Sequence, residues 1–188
     1  DDDKHDSVDV APDTTSGQFN LKLPDDDDAD EEDIRLIWSD PSNQYNPSSA
    51  ADDIVLNCTN LGAGEALTKN YGLTSSRDTD SQSWTLDTNT TGAAKTYNFT
   101  ITNNLVAGDT PTIHCFARDL STWDSPDMAY TVTNPSVADE AICVGAWVHR
   151  ASWDNWTGNG YSYGQAAGGI AGFSSRGPRI DGANYPTV

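Results

Sequence analysis

Positive charge is scarce in this sequence. Only four of the 188 residues are lysine (Lys4, Lys22, Lys69, Lys95), and 10 basic side chains face 29 acidic ones, for a formal net charge of -19. A chain this acidic repels polyanions, so nucleic acid is excluded as an expected partner. Its self-repulsion is screened at high ionic strength, where the Debye length falls to about 3 Å at 1 M salt, and the balance therefore suits a halophilic setting. Long apolar runs are missing as well. No stretch approaches the roughly 18 apolar residues that cross a bilayer, and no basic-then-apolar leader opens the chain, so no membrane partner is expected. Cysteine is sparse: Cys58, Cys115 and Cys143 show no C-x-x-C spacing, which gives a structural zinc site no support. Cys58 and Cys115 lie in strand-like segments of one region. A disulfide between them and two free thiols are both open, because spacing does not fix connectivity. Cys143 sits in an apolar run and reads as a small buried hydrophobe.

Amphipathic helices are also lacking in the first 134 residues. What is there instead is apolar alternation with period two, which specifies strands. Phe19, Leu21 and Leu23 share one face, and so do Ile34, Leu36 and Trp38. Further strands are expected at Ile54 to Cys58, Ser83 to Leu86, Lys95 to Thr102, Thr112 to Arg118 and Met128 to Thr133, separated by Gly, Asn, Asp and Pro clusters. Six or seven short strands with turns between them favour an antiparallel sandwich or jelly roll. Residues 1–16, acidic and without apolar periodicity, read as a linker. After Pro135 the texture changes. Ala141 to Val148 is nearly all apolar, the pattern of a strand buried on both faces in an α/β protein. The expected division is an acidic linker over 1–16, a β-sandwich over 17–134 and a different, partly α/β segment over 135–188.

Several short patterns carry less than they promise. Gly160-Tyr161-Ser162-Tyr163-Gly164 matches the G-x-S-x-G nucleophile elbow, but no strong strand precedes it, no helix follows it and no histidine lies beyond it, so it reads as a chance match. The acidic run Asp25 to Asp28, continued by Asp30, Glu31, Glu32 and Asp33, has the oxygen chemistry for calcium but neither the ligand spacing nor the glycine of a calcium loop. A solvated loop is the simpler reading, and the metal question stays open. The N-x-[ST] triplets at Asn57, Asn89, Asn98 and Asn155 matter only in a source that glycosylates them.

The most specific signal is a pair of motifs near the end. Ala141-Ile142-Cys143-Val144-Gly145-Ala146 is followed, after a Trp-, Gly- and Tyr-rich loop, by Ile170-Ala171-Gly172-Phe173-Ser174-Ser175-Arg176-Gly177-Pro178. Two motifs in this order resemble the subtilisin-like (subtilase) serine proteases, with their I-x-V-G-A strand and F-S-S-R-G-P turn. Pro186-Thr187-Val188 stands where the family has Pro-Asp-Val, with threonine replacing the aspartate. The resemblance implies that Val144, Gly145, Ala146, Phe173, Ser174, Ser175, Arg176, Gly177 and Pro178 are scaffold near an active site. It also implies that neither Ser174 nor Ser175 is the nucleophile. Gly145 and Gly177 would permit close backbone approach or positive φ, and the two serines would bond local backbone to hold a turn. None of the family's triad strings, Asp-Thr/Ser-Gly, His-Gly-Thr-His or Gly-Thr-Ser-Met-Ala, occurs here. His5, His114 and His149 have other neighbours, so no catalytic residue is assigned. Earlier in the chain, Ile34-Arg35-Leu36-Ile37-Trp38-Ser39-Asp40-Pro41 is similar to the L-x-W-x-D-P strand end of jelly-roll accessory domains in large subtilases.

These readings combine into one expectation: a mainly β fragment, an antiparallel sandwich or jelly-roll insert followed by a partial α/β subtilase segment. The parent would be a secreted or cell-surface serine endopeptidase acting on peptides or proteins. The fragment alone would be inactive and would partner the remainder of its own catalytic domain. No cofactor is required by this reading, with calcium as the ion to test. The alternative is a non-catalytic surface-binding sandwich of lectin or adhesin type.

Overall fold

A computed structural model describes residues 4–24, 31–48, 54–74, 78–88, 94–105, 110–118, 121–131 and 142–184. The chain divides into two compact units, residues 3–127 and residues 128–188 together with the first two residues. The first unit contains β1 (His5–Asp9), β2 (Thr14–Thr15), β3 (Phe19–Leu23), β4 (Glu31–Ser39), β5 (Ile54–Cys58), β6 (Ala66–Thr74), β7 (Thr79–Asp87), β8 (Lys95–Asn103), β9 (Thr112–Ala117) and β10 (Thr122–Trp123). Every strand pair is antiparallel. One sheet runs β1-β9-β4-β7-β6; the other runs β10-β3-β8-β2, with β5 also paired to β8. No helix occurs among the described residues. The first unit is thus an antiparallel β-sandwich, as the alternation predicts.

The two inner faces make the core. On β4, Ile34, Leu36 and Trp38 are buried while Arg35 between them is exposed; on β8, Tyr97, Phe99 and Ile101 are buried in the same alternation. Burying side chains of this size stabilises the fold by about 1.5–3 kcal/mol each. Leu21, Ile54, Leu56, Leu86, Ile113 and Trp123 fill the space between the sheets. Buried polar groups in this core mostly find partners. Gln82 Nε2 donates to Ile54 O at 2.9 Å and to Tyr45 Oη at 3.3 Å, and Trp84 Nε1 donates to Gln82 Oε1 at 3.0 Å. Since Gln82 lies in one sheet and Ile54 in the other, this network ties the two layers together. Glu65 accepts from Lys95, from the Gly62 amide and from Tyr97 Oη. Burial raises its carboxyl pKa, but these bonds outweigh that and hold it below the usual range. At Gly72 the chain needs glycine, because a Cβ there would fall 1.8 Å from Tyr45 Oη.

Several expectations are corrected. Residues 4–16 are not a linker: β1 pairs residue for residue with β9, from His5 opposite Phe116 to Asp9 opposite Thr112, and β2 pairs with β8. Backbone pairing and the burial of Val10 hold this polar stretch, so its composition gave no periodic signal. Strand β6 was likewise unforeseen, being a polar edge strand with Tyr71 and Leu73 exposed. Residues 128–131, expected to start a strand, form a turn with Tyr130 at φ 60°; residues 132–141 lie outside the described residues. The disulfide alternative falls, because all three cysteines are free. Cys58 is on β5 and Cys115 on β9, in different sheets. Burial pushes the Cys115 thiol far up, which makes it inert.

His5 and His114 form a buried pair. His5 Nδ1 lies 2.9 Å from Asp127 O, and His5 Nε2 lies 3.0 Å from His114 Nδ1. A carbonyl only accepts, so His5 carries its proton on Nδ1, and His114 Nδ1–H then donates to His5 Nε2. The rings stack 5.2 Å apart, with Phe116 4.6 Å from His5 on its other contact. Burial, then the neighbouring His5, push His114 down from 6.5 to about 4. The fold therefore holds His114 neutral. Its contribution is complete above about pH 6.5 and is lost as pH falls towards 4. Melting temperature should drop over this window, and His114→Phe should flatten the drop. Equal slopes in the two proteins would contradict the assignment.

Candidate functional site

The second unit is described over residues 128–131 and 142–184, and these residues hold little core of their own. Cys143, Val148 and Ala171 are its buried apolar side chains among the described residues, while Ile142, Val144, Trp147, Trp156, Ile170 and Phe173 are exposed. Of the buried strand expected over Ala141 to Val148, residues 142–148 are described and form no strand: Ile142 is 83% and Val144 69% exposed, and the one β-bridge among them joins Trp147 to Ile170. A strand is buried on both faces only with layers against each face, and the described residues supply none. No helix or parallel pairing appears in 142–184 either, so the α/β part of the expected fold is not seen.

Order in this segment comes from backbone bonds that bring the two end motifs together. Val148 N–H donates to Gly169 O at 2.9 Å, and Gly168 N–H donates back to Val148 O at 2.8 Å, with Gly168 in the left-handed region at φ 90°. One step further, Ala171 N–H donates to Ala146 O at 2.9 Å. Ser174 then closes the arrangement. Its buried Oγ accepts the Ala146 N–H at 3.0 Å and donates to Ser175 O at 3.2 Å. The V-G-A and F-S-S segments are therefore joined at Ala146 and Ser174. The Ser174 hydroxyl is committed to the backbone, with no imidazole beside it; Ser175 is exposed.

The remaining motif residues sit around this clasp. Phe173 is 69% exposed and makes an edge contact with Tyr163, their ring centroids 6.3 Å apart. Arg176 uses its backbone, exchanging bonds with Thr131: Arg176 N–H to Thr131 Oγ1 and Thr131 N–H to Arg176 O, both 2.8 Å. The Gly177–Pro178 peptide is cis. Left-handed backbone falls at Gly158, Gly168 and Gly182 rather than at Gly145 or Gly177. Arg179, beyond the motif, is ion-paired to Asp181, with Nε to Oδ1 at 2.9 Å.

Between the two motifs stands a hairpin that the sequence reading missed. Strand β11 (Ser152–Asp154) pairs with β12 (Gly160–Ser162), and Trp153 stacks on Tyr161 at 6.0 Å. Its signal was the Asn155-to-Asn159 turn: Asn155 Oδ1 accepts from the Thr157 and Asn159 amides. Ser162 lies on β12, exposed and opposite Ser152, not on a strand-to-helix turn. His149 is exposed. Among the described residues no three His, Cys, Asp or Glu side chains are placed to hold a metal ion, and residues 25–30 of the acidic run lie outside the described residues.

No protein-family model and no curated protein matches the chain. One solved structure, that of the Clostridium perfringens CspB protease, is similar in fold, with a TM-score of 0.57 at 12% identity. The match covers 98% of this chain and 38% of that one. This chain thus spans well under half of the protease it resembles, and the likeness concerns the fold.

If Ser174 is the clasp, Ser174→Ala leaves the partly buried Ala146 amide without this partner, at a cost of about 1–3 kcal/mol. Exchange of the Ala146 and Ala171 amides should then quicken by about tenfold or more, whereas Ser175→Ala should leave it unchanged. Similar effects from both variants would contradict this role.

Proposed function

We propose that this chain is a segment of a secreted subtilisin-like serine endopeptidase, in which the sandwich of residues 3–127 is an accessory insert and residues 128–188 are part of the catalytic domain. The observation that carries the reading is the meeting of the two protease-like motifs at Ala146 and Ser174. They lie 28 residues apart, and chance matches would have no reason to adjoin. The fold likeness supports it further, since a match over 98% of the chain takes in both units.

In this reading the triad comes from outside residues 1–188. A base-activated serine attacks the peptide carbonyl, and the acyl-enzyme is then hydrolysed. The exposed Ile142, Val144, Trp147, Ile170 and Phe173 are the surface that the remainder of the catalytic domain covers. In the subtilase fold the stretch leading into the I-x-V-G-A strand forms a wall of the substrate pocket. The sandwich immediately precedes that stretch, so its role is to handle or gate extended substrates. The acidic composition fits an external, salt-rich medium.

The test uses the full-length protein and a version in which residues 3–127 are replaced by a short loop. A fluorophosphonate should label a serine outside residues 1–188 in both. The deletion should lower kcat/KM for long protein substrates about tenfold more than for short peptides, because remote contacts act through binding energy. Labelling of Ser162 or Ser174 would overturn the protease reading. Equal losses on both substrate classes would overturn the substrate-handling role.

A further inference from the structure

The N-x-[ST] triplets have no part in the protease reading, and the fold treats them differently. Asn57, on β5, has its amide nitrogen committed: Nδ2 donates to Thr102 Oγ1 at 3.3 Å and to Val55 O at 3.4 Å, while the Thr59 hydroxyl donates to Asn98 O at 3.3 Å. Asn98 and Phe99 lie within β8, which pairs with both β3 and β5, and Phe99 is fully buried. Asn89 lies outside the described residues. Asn155 alone among the described triplets falls on a turn, at the tip of the β11–β12 hairpin. Asn155 N–H donates to Asn159 O at 2.9 Å, Gly158 N–H donates to Asn155 O at 3.0 Å, and Gly158 is left-handed at φ 80°. Three-residue loops closed by a left-handed glycine are a common hairpin connection. The loop stands in the open: Trp156 is 96% exposed.

A carboxamide nitrogen is a poor nucleophile, because its lone pair is delocalised onto the carbonyl. It attacks only as its proton is lost and negative charge develops on the oxygen. At Asn155 that oxygen is already ringed by donors: Oδ1 accepts the Thr157 hydroxyl at 2.7 Å, the Asn159 amide at 2.9 Å and the Thr157 amide at 3.0 Å. Donors fixed in advance around a developing oxyanion stabilise it without reorganisation. Nδ2 takes no part in this network and is not enclosed. Strand alternation places Asn155 on the same face as Trp153, two residues and about 7 Å away. Trp153 stacks on Tyr161 with their planes 15° apart, yet the two rings stay 42% and 51% exposed. None of the side chains assigned above to the surface that the catalytic domain covers belongs to this hairpin. An open aromatic pair beside an acceptor amide offers its electron-rich face to the C–H groups of a sugar ring.

We propose that Asn155 is an N-glycosylation acceptor, taking an oligosaccharide from a polyisoprenyl pyrophosphate donor, and that its first sugar ring rests on Trp153. In the transfer a base of the oligosaccharyltransferase removes one Nδ2 proton, the Nδ2–C1 bond to the sugar forms, and the C1–O bond to pyrophosphate breaks. Polyisoprenyl pyrophosphate leaves with the bonding pair, and nothing is oxidised or reduced. The Thr157 hydroxyl and the two backbone amides hold the charge on Oδ1 while the proton departs. In the cell such a transfer needs only the export proposed above, not the protease chemistry. With the transferase supplied in vitro, a failed transfer is distinct from a failed fluorophosphonate label.

The test incubates the folded 188-residue chain with a purified oligosaccharyltransferase that reads N-x-[ST] and a polyisoprenyl pyrophosphate oligosaccharide, with a short acceptor peptide in the same tube. Glycopeptide mass spectrometry should find Asn155 filled about tenfold faster or more than Asn57 or Asn98. Gly158→Val keeps the triplet but forces a β-branched residue into left-handed backbone, so the donors on Oδ1 are lost and transfer should slow by about tenfold. In the glycosylated chain, proton shifts of the first sugar should show the ring current of an indole, and Trp153→Ala should remove it. An unmodified Asn155 beside a glycosylated peptide, Asn57 or Asn98 filled as fast as Asn155, or an unchanged rate in Gly158→Val would each overturn the acceptor assignment. Sugar shifts that are the same in Trp153→Ala would overturn the ring contact.

Discussion

Strand β4 is the constraint on which the sandwich depends. It alone pairs along its length with β7 and, over Ile34 to Ile37, with β9, so it is the middle of the five-stranded sheet. Its inner face supplies Ile34, Leu36 and Trp38 to the core, and both its ends are secured by buried acids. Near the start, Glu32 accepts the Arg118 amide at 2.7 Å and the Ser121 amide at 3.4 Å. Past the end, Asp40 winds the following loop onto Tyr45. Two of the 29 acidic residues thus satisfy backbone donors that would otherwise be buried unpaired.

That division explains what could be read in advance. Strands β3, β4, β5, β8 and β9 announce themselves because each lays apolar residues on one face at period two, and the structure buries those faces. Strands β1, β2 and β6 do not, because they are held by pairing with a neighbour and carry few apolar side chains. The acidic composition was equally opaque. Nothing in the letters separates Glu32, Asp40 and Asp80 from the solvated acids around them; only their burial in the fold does.

The two end motifs were legible as strings, but the contact between them was not. A hydroxyl-to-amide bond across 28 residues leaves no trace in local pattern. The buried strand expected at Ala141 to Val148 shows the converse error. An apolar run specifies that a segment is to be covered, not that the covering is present, and here Ile142 and Val144 stay exposed. Among the described residues, the hydrophobic core cluster draws on residues 8–123. In physical terms the first unit has its own source of stability, while the described residues of the second are joined by a few backbone bonds and the Ser174 clasp.

Hydrogen exchange over the whole 188-residue chain tests this central claim most directly. Amides of Ile34 to Trp38, Tyr97 to Ile101 and Ile113 to Ala117 should exchange slowest, near the global unfolding limit, with those of residues 142–148 and 168–176 faster by about two orders of magnitude or more. Equal protection in the two units would contradict the account, since it would mean that residues 142–184 share a cooperative core with the sandwich.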